Sequence, residues 1–271
     1  MGSQRMQRRK TLSQKRTQPM EKPLIRVTLL EAFRRFRDSE VIYIDGDGFD
    51  VCASEEDVIS NVTGEFKGSE YTRIGTAFHS IVETGAPKCI KIPAGKKKTT
   101  FRNKEIEVDV PEGREFDIDG YKVKLDVNQC KVAMRYRNEH PHASHEIRTF
   151  KNYGEAVVTG CADMIDGLDI RDIKTKYGRI KDEDYTHSCQ WRFYLDMFGL
   201  DWFYFDLFHF NGYDKDKNGY DVRGLSLTRY EPPIWCQRYA RMRQDNLDLI
   251  HDFLEWCKGK DLLKYLNKDK L

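Results

Sequence analysis

Two aspartates and a lysine flank a predicted turn in the middle of the chain. Asp163 precedes Asp166-Gly167, a dipeptide typical of two-residue β-hairpin turns, and Asp172 and Lys174 follow it. Side chains two positions apart in a strand project from one face, so Asp172 and Lys174 point the same way. Folding of the hairpin would bring Asp163 to the same point. Two clustered carboxylates suit a hard divalent ion such as Mg²⁺, which retains water molecules for a substrate phosphate.

The lysine beside the two carboxylates suits phosphoryl chemistry. An ammonium can orient or help to deprotonate an attacking water, and it can balance the charge of the transition state. Taken alone, an Asp-x-Lys triplet is explained more simply as a surface ion pair on a strand. Other residues favour the catalytic interpretation, because Gln190 and Tyr194 share one face of a predicted helix and His79 lies within an earlier predicted helix.

A fixed order of separated motifs surrounds these residues. The motifs are Gly160-x-x-Asp163, Asp172-x-Lys174-Thr175 and Tyr185-x-x-Ser188-x-Gln190-x-x-x-Tyr194. The set resembles the PD-(D/E)xK nucleases, and among them the RecB-like and RecE-like exonucleases. The resemblance is strong over residues 145–199, extends to the helix of His79, and is absent from residues 1–26 and most of 88–127. It implies an α/β (α+β) fold in which helices flank a central mixed β-sheet, with a restriction-endonuclease-like core.

The resemblance also implies a set of metal ligands. Asp163 and Asp172 would bind Mg²⁺ or Mn²⁺ together with the main-chain carbonyl of Ile173. His79 would match the additional ligand of the RecB-like group. Glu146, on the preceding predicted strand, would add a carboxylate through a water molecule. The implied activity is metal-dependent hydrolysis of DNA phosphodiester bonds, by an exonuclease acting in phage- or prophage-type DNA processing, recombination or repair.

The same resemblance assigns roles in catalysis. Lys174 would be the catalytic lysine, and Gln190 and Tyr194 would steady the site and the DNA backbone. Some RecB-like nucleases hold an iron–sulfur cluster with one early and three late cysteines. Cys236 and Cys257 are the late candidates here, and no closely spaced pair accompanies them. We therefore expect no iron–sulfur cluster.

Two other functions remain open from the sequence. The first is a catalytically inactive nucleic-acid-binding module on the same scaffold, although binding alone does not need Asp163, Asp172, Lys174 and Gln190 together. The second is a site-specific restriction-type endonuclease, which would cut at fixed positions rather than digest from ends. The expected partners are DNA and phage recombination or replication proteins. No membrane partner is expected, because no apolar run approaches the roughly 18 residues of a membrane helix.

The composition is that of a folded protein with a charged N-terminal segment. The chain has 271 residues, of which 39% are hydrophobic and 33% are charged. Residues 1–26 contain eight Lys or Arg and one acidic residue, so we expect a disordered basic arm that either contacts polyanions or is a solvated tail. Residues 27–271 would form a single nuclease domain with an inserted β-rich region at 88–127. Seven cysteines without a C-x-x-C pair indicate a reducing, cytoplasmic compartment.

Hydrophobic periodicity predicts the elements that would position the site. Helices are expected at 28–37, 71–83, 128–138, 185–198 and 234–257. Strands are expected at 145–150, 155–165, 168–174, 202–210 and 221–229, and around 106–110 and 121–125. Thr28 and Glu31 have the spacing of a capping box for the first helix, and the run Lys96-Lys97-Lys98 is expected in an exposed loop.

Two further clusters of candidate ligands receive structural interpretations. The segment 214–219 resembles the start of a calcium-binding EF-hand loop, but its twelfth position is Leu225 rather than glutamate, so a polar hairpin turn is expected. His140, His142 and His145 have no cysteine at ligand spacing, and a solvated loop is expected there.

Overall fold

The structure is a computed structural model, and it describes residues 22–44, 48–65, 67–101 and 104–266. The strands are β1 (Leu24–Arg26), β2 (Val41–Ile44), β3 (Asp50–Cys52), β4 (Ile90–Ile92), β5 (Gly95–Phe101), β6 (Lys104–Val110), β7 (Gly113–Ile118), β8 (Tyr121–Asp126), β9 (Ser144–Asn152), β10 (Val157–Asp166), β11 (Asp169–Lys176), β12 (Trp202–Phe210), β13 (Leu227–Arg229) and β14 (Ile234–Gln237). The helices are α1 (Val27–Arg37), α2 (Glu55–Thr63), α3 (Glu70–Thr84), α4 (Val127–Glu139), α5 (Glu183–Thr186), α6 (Gln190–Phe198), α7 (Lys215–Asn218) and α8 (Met242–Gly259), followed by a 3₁₀ turn at Leu263–Tyr265.

The central sheet is mixed and is built around the predicted hairpin. Strand β10 pairs with β9 along one edge, in the antiparallel sense. Its other edge pairs first with β1, which is parallel, and then with β11, which is antiparallel. Strand β11 runs parallel to β12, and the far edge of β12 pairs with β13 and β14. The predicted α/β class with a central mixed sheet is confirmed.

Helices cover both faces of this sheet because β12 is apolar on both sides. Phe203 and Phe205 belong to a buried cluster formed with α1, α6 and α8. Phe208 and Phe210, on the opposite face, belong to a second cluster formed with α3 and α4. An apolar strand with two buried faces is typical of the interior of a helix-flanked sheet. The prediction of a strand over 202–210 is therefore confirmed.

The beginning of the ordered fold lies earlier than predicted. Residues 24–26 form β1 inside the central sheet, and Ile25 has no exposed surface. The expectation of a disordered arm over 1–26 is therefore wrong for its last residues, because an apolar residue at position 25 fills the core. Residues 1–21 lie outside the described part of the chain. Among the described residues, no helix is both long and apolar enough to cross a membrane.

The first helix spans almost the predicted residues but begins differently. Its N-cap is Arg26, whose side chain makes no capping hydrogen bond, so the predicted capping box is wrong. Glu31 instead pairs with Arg34, and its Oε2 accepts the main-chain N–H of Cys189 at 2.7 Å. This contact ties α1 to the segment that precedes α6.

That contact also explains why the predicted helix over 185–198 is interrupted. Glu31 accepts the N–H of Cys189, and the hydroxyl of Ser188 accepts the N–H of Gln190 at 3.1 Å. Side-chain acceptors thus replace helical carbonyls between α5 and α6. Gln190 consequently becomes the first residue of α6 rather than an interior one.

The C-terminal region differs from the prediction in two places. Residues 234–237 form strand β14 rather than the start of a helix, because Ile234 and Cys236 are buried while Trp235, between them, is 56% exposed. That alternation is the two-residue period of a strand. The expected strand over 221–229 is reduced to β13, and the expected hairpin turn at 214–219 is the short helix α7, whose N-terminus the Asp214 side chain caps.

The region 88–127 is β-rich, as predicted, and lies outside the central sheet. Strands β4, β7 and β8 form one small sheet, and β5 and β6 form a separate hairpin. The lysine run is in β5 rather than in a loop. The Lys97 ammonium donates to the main-chain carbonyl of Asp221 at 2.8 Å, which holds the hairpin against the segment after α7.

The predicted solvated histidine loop is also wrong for His140. Its Nδ1 lies 2.6 Å from the Asp166 carboxylate, and its ring packs edge-on against Tyr136. Its side chain is only 10% exposed. His140 therefore packs against the turn of the β10–β11 hairpin.

Candidate metal centre

The two central strands separate at the first predicted ligand. The antiparallel ladder between β10 and β11 runs from Asp166↔Asp169 to Met164↔Arg171 and stops there. The next donor on β11, the N–H of Ile173, is accepted by the Asp163 carboxylate at 2.8 Å instead of by a main-chain carbonyl. The Asp163 side chain thus takes the place of a main-chain partner. We call the point at which β10 and β11 separate the fork, and it leaves room for ligands.

The second predicted carboxylate is buried at the base of this fork. Asp172 is 2% exposed, and its Oδ1 accepts from Lys174 Nζ at 3.0 Å and from Gln190 Nε2 at 2.8 Å. Its Oδ2 lies 2.7 Å from the same ammonium, but no donor among the described residues reaches it in hydrogen-bonding alignment. Lys174 therefore contacts both oxygens of Asp172, and the described residues whose ligand atoms lie within 4.8 Å of one another are His79, Glu146 and Asp163, without Asp172.

Glu146 lies directly across from Asp163. The β9–β10 register pairs Ile147 with Ala162 and His145 with Met164, so the intervening residues oppose each other. Like charges in opposing positions repel. Glu146 also has φ +51°, in the left-handed region that costs a non-glycine residue roughly 1–2 kcal/mol. Such strain is typical of functional sites, and a cation between the two carboxylates would offset the repulsion.

His79 completes the cluster from helix α3. One nitrogen of His79 and one oxygen each of Glu146 and Asp163 all lie within 4.8 Å of one another. His79 Nε2 is 2.7 Å from the Ile173 carbonyl, and a carbonyl only accepts, so Nε2 carries the proton. The other ring nitrogen, Nδ1, lies 3.7 Å from Asp163 Oδ2. The Ile173 carbonyl, a predicted metal ligand, is therefore engaged by His79 in this structure.

The Tyr194 side chain packs in the protein interior next to the site and does not face solvent. Its side chain is buried, its ring stacks on Phe203, and its hydroxyl donates to the carbonyl of Cys161 at 2.9 Å. A buried side chain cannot contact a DNA backbone, so that part of the sequence expectation is wrong. Tyr194 is a positioning residue that fixes β10 two residues before Asp163.

The contact between α6 and β10 depends on a glycine. A Cβ at Gly160 would lie 2.4 Å from Tyr194 Cε1 and 2.9 Å from Met197 Cε. We expect Gly160→Ala to lower the free energy of unfolding by about 1–3 kcal/mol through overpacking. It should also slow any metal-dependent reaction, because α6 carries Gln190. Urea unfolding measures the first effect. Gly95→Ala is the matched control, since nothing lies within 4 Å of its Cβ; equal losses in both variants would contradict the prediction.

The cluster opens into a cleft of about 530 Å³. We call it the metal cleft; its lining includes Tyr71, His79, Glu83, Glu146, Lys174 and Thr175. The donor set is dominated by carboxylate oxygens with one imidazole nitrogen. Carboxylate oxygens suit Mg²⁺ and Mn²⁺, so the residues present fit the ions expected from the sequence. Sequence reasoning gave Glu146 a water-mediated role, whereas the structure places its carboxylate among the candidate ligand atoms.

Protons should compete with metal at this site. Burial raises the pKa of Asp172 and that of Glu146 above their ordinary values, and the nearby Asp163 charge adds to both shifts. Since a metal binds the deprotonated carboxylates, affinity should be highest where both groups are ionised and should fall as pH decreases through their raised pKa values. We expect Mn²⁺ affinity to weaken measurably between pH 8 and pH 5.5 in calorimetric titrations. A pH-independent affinity over that range would contradict this assignment of ligands.

Comparison with known proteins does not identify a family. No protein-family model and no curated protein matches the chain. A solved structure described as the crystal structure of SSO0001 aligns at 19% identity with 45% of this chain and 54% of that chain, with a TM-score of 0.28. The chain thus spans about half the length of that protein, and a TM-score this low does not show a shared fold.

Proposed function

We propose that this protein is a metal-dependent DNA nuclease that hydrolyses phosphodiester bonds and digests from DNA ends. The observation that carries the proposal is the position of Asp172. It is buried at the fork of the sheet, where Lys174 contacts both of its oxygens and Gln190 donates to one of them, beside the cluster of His79, Glu146 and Asp163. A surface ion pair would leave Asp172 in solvent and would not need a glutamine or an opposed pair of carboxylates beside it.

The residues of the cleft have separate tasks in this reaction. A divalent cation, when bound, would activate a water molecule and offset charge on the phosphoryl oxygens. Burial opposes the charge of Lys174, but the carboxylates of Asp172 and Asp163 outweigh it and raise the pKa of this lysine. Lys174 is therefore protonated at neutral pH. It acts as a cationic hydrogen-bond donor to the attacking water or the phosphate, rather than as the base.

Gln190 supports this arrangement by holding Asp172. Its amide N–H donates to the same Oδ1 that accepts from Lys174, so the lysine can move toward substrate without leaving that oxygen unpaired. His79 fixes the opposite wall through the Ile173 carbonyl. We also propose that the protein acts in phage- or prophage-type DNA recombination or repair in the cytoplasm. Its partners would be recombination or replication proteins.

Labelled linear and circular DNA of one sequence provide the test. With Mg²⁺ or Mn²⁺, purified protein should shorten linear DNA progressively from its ends, leave covalently closed circles intact, and stop on addition of EDTA. Discrete fragments from circular DNA would favour a restriction-type endonuclease. Binding without cleavage in either metal would favour an inactive nucleic-acid-binding module. A protein that neither binds nor cleaves DNA would overturn the proposal.

A further inference from the structure

A second cavity adjoins the metal cleft along strand β11. It has a volume of about 470 Å³, and Tyr71 and Thr175 line both cavities. Thr175 follows Lys174 directly in the chain, so the two cavities meet beside the lysine. A phosphate-containing polymer that places one phosphate in the metal cleft would extend its neighbouring residue into this second cavity.

Three mutually packed tyrosines form one wall of the second cavity. The Tyr71 ring is 5.0 Å from that of Tyr177 and 5.5 Å from that of Tyr213, which are themselves 4.7 Å apart. The hydroxyl of Tyr177 donates to the main-chain carbonyl of Tyr71 at 3.2 Å. The residue Tyr71 is nevertheless 42% exposed. Tyr177 and Tyr213 thus pack against part of the Tyr71 ring, and the rest of the Tyr71 side chain faces solvent.

The charge of this cavity differs from that of the metal cleft. Its lining contains Lys176 and Arg179 and no carboxylate, whereas Glu83 and Glu146 line the metal cleft. Arg179 is exposed, and it makes no ion pair with another described residue. Ile42, on the exposed apolar strand β2, also lines the cavity. An apolar and aromatic slot with cations at its edge complements a flat ring that carries a phosphate.

We propose that this second cavity, the tyrosine cleft, binds one unpaired nucleotide of a single-stranded DNA end. The cleft is defined by Ile42, Tyr71, Lys176, Tyr177, Arg179 and Tyr213. The base stacks on Tyr71, and Arg179 contacts the adjoining phosphate. Bases inside a duplex have both faces covered by neighbours, so the site selects single-stranded or frayed ends. This inference rests on the proposed function and specifies its substrate.

The test pairs a change in the protein with a change in the DNA. Tyr71→Leu removes the aromatic ring and keeps apolar bulk, and Tyr71→Phe keeps the ring. Trp235→Leu is the matched control, because it removes an exposed aromatic ring from β14, outside the lining of both clefts. Fluorescence anisotropy in Ca²⁺ measures the affinity of each protein for a labelled thymidine 12-mer and for a 12-mer of abasic residues. A gel verifies that both oligonucleotides remain intact.

Stacking on Tyr71 predicts a specific pattern of affinities. Tyr71→Leu should weaken binding of the thymidine 12-mer by about 5- to 150-fold and leave binding of the abasic 12-mer unchanged. Tyr71→Phe and Trp235→Leu should bind both as the wild type does. Arg179→Ala should weaken the binding of both oligonucleotides equally. It should also reduce, by about 0.7, the magnitude of the slope of the logarithm of the binding constant against the logarithm of salt concentration.

The outcomes separate this inference from the proposed nuclease. Equal weakening of both oligonucleotides by Tyr71→Leu, or no weakening of either, would overturn the tyrosine cleft while leaving metal-dependent cleavage of DNA intact. Failure of the wild type to bind single strands would also overturn it. The converse result, the expected affinity pattern in a protein that cleaves no DNA in Mg²⁺ or Mn²⁺, would retain the binding site and reject the nuclease.

Discussion

Asp163→Ala should abolish metal-dependent cleavage and leave the fold intact. Asp163 opposes Glu146, faces Nδ1 of His79 and accepts the N–H of Ile173, so these three groups meet at its carboxylate. Loss of a bound cation removes several kcal/mol of transition-state stabilisation, which corresponds to a rate decrease of about 10³-fold or more. Cleavage rates on end-labelled DNA at fixed Mn²⁺ measure the effect. Asp172→Ala should have the same consequence.

Stability measurements distinguish loss of metal from loss of fold. Removing one of two opposed carboxylates relieves repulsion, so the metal-free thermal midpoint of Asp163→Asn, which keeps an acceptor for the Ile173 N–H, should equal or exceed that of the wild type. Calorimetric Mn²⁺ binding should be lost in the same variant. Asp169→Asn, at the other end of the hairpin and outside the metal cleft, is the control. Full activity in Asp163→Ala would reject the proposed site.

Lys174→Ala should slow the chemical step by roughly 10²–10⁴-fold, the range typical of one positioned acid–base or electrostatic group. Its ammonium contacts both oxygens of Asp172, and its side chain is 38% exposed toward the cleft. Single-turnover rates at saturating DNA isolate this step. DNA affinity in Ca²⁺ should change little, because one ammonium contributes one phosphate contact.

One indirect effect must be separated from this direct one. Without the ammonium, the buried Asp172 loses the charge that opposes its desolvation, so its pKa should increase further and metal should bind less tightly. Rates are therefore compared at saturating Mn²⁺ and at pH 8. Lys181→Ala, which removes an exposed lysine outside the lining of the metal cleft, is the matched control. A wild-type rate for Lys174→Ala with weakened DNA binding would reverse the assigned role.

The parts of the site that follow from local sequence could be predicted. The Asp-Gly turn fixes the β10–β11 hairpin, and strand alternation then places Asp172 beside Lys174. The helix of His79 follows from its apolar periodicity, and its observed bounds differ from the predicted ones by one residue at each end. Each of these inferences needs only the geometry of one element and its immediate neighbour in the chain.

The remaining features depend on contacts between distant segments. Glu146 opposes Asp163 because of the β9–β10 register, and no residue near Glu146 indicates that register by itself. The break before α6 depends on Glu31, which lies 158 positions before Cys189. The burial of Tyr194 depends on Gly160, because only a residue without Cβ lets α6 approach β10 so closely. Such packing is visible only once the tertiary fold is known.

The thiol of Cys161 gives the metal cleft an internal chemical reporter. Burial and the hydrogen bond that Sγ donates to Glu146 at 3.3 Å raise the pKa of this thiol to about 11. At neutral pH it is therefore un-ionised and reacts slowly with iodoacetamide, which attacks thiolates. A cation that takes Glu146 as a ligand would neutralise that carboxylate and release the thiol. Alkylation of the Cys161 peptide, followed by mass spectrometry, should therefore accelerate as Mg²⁺ is added and report occupancy without any DNA present.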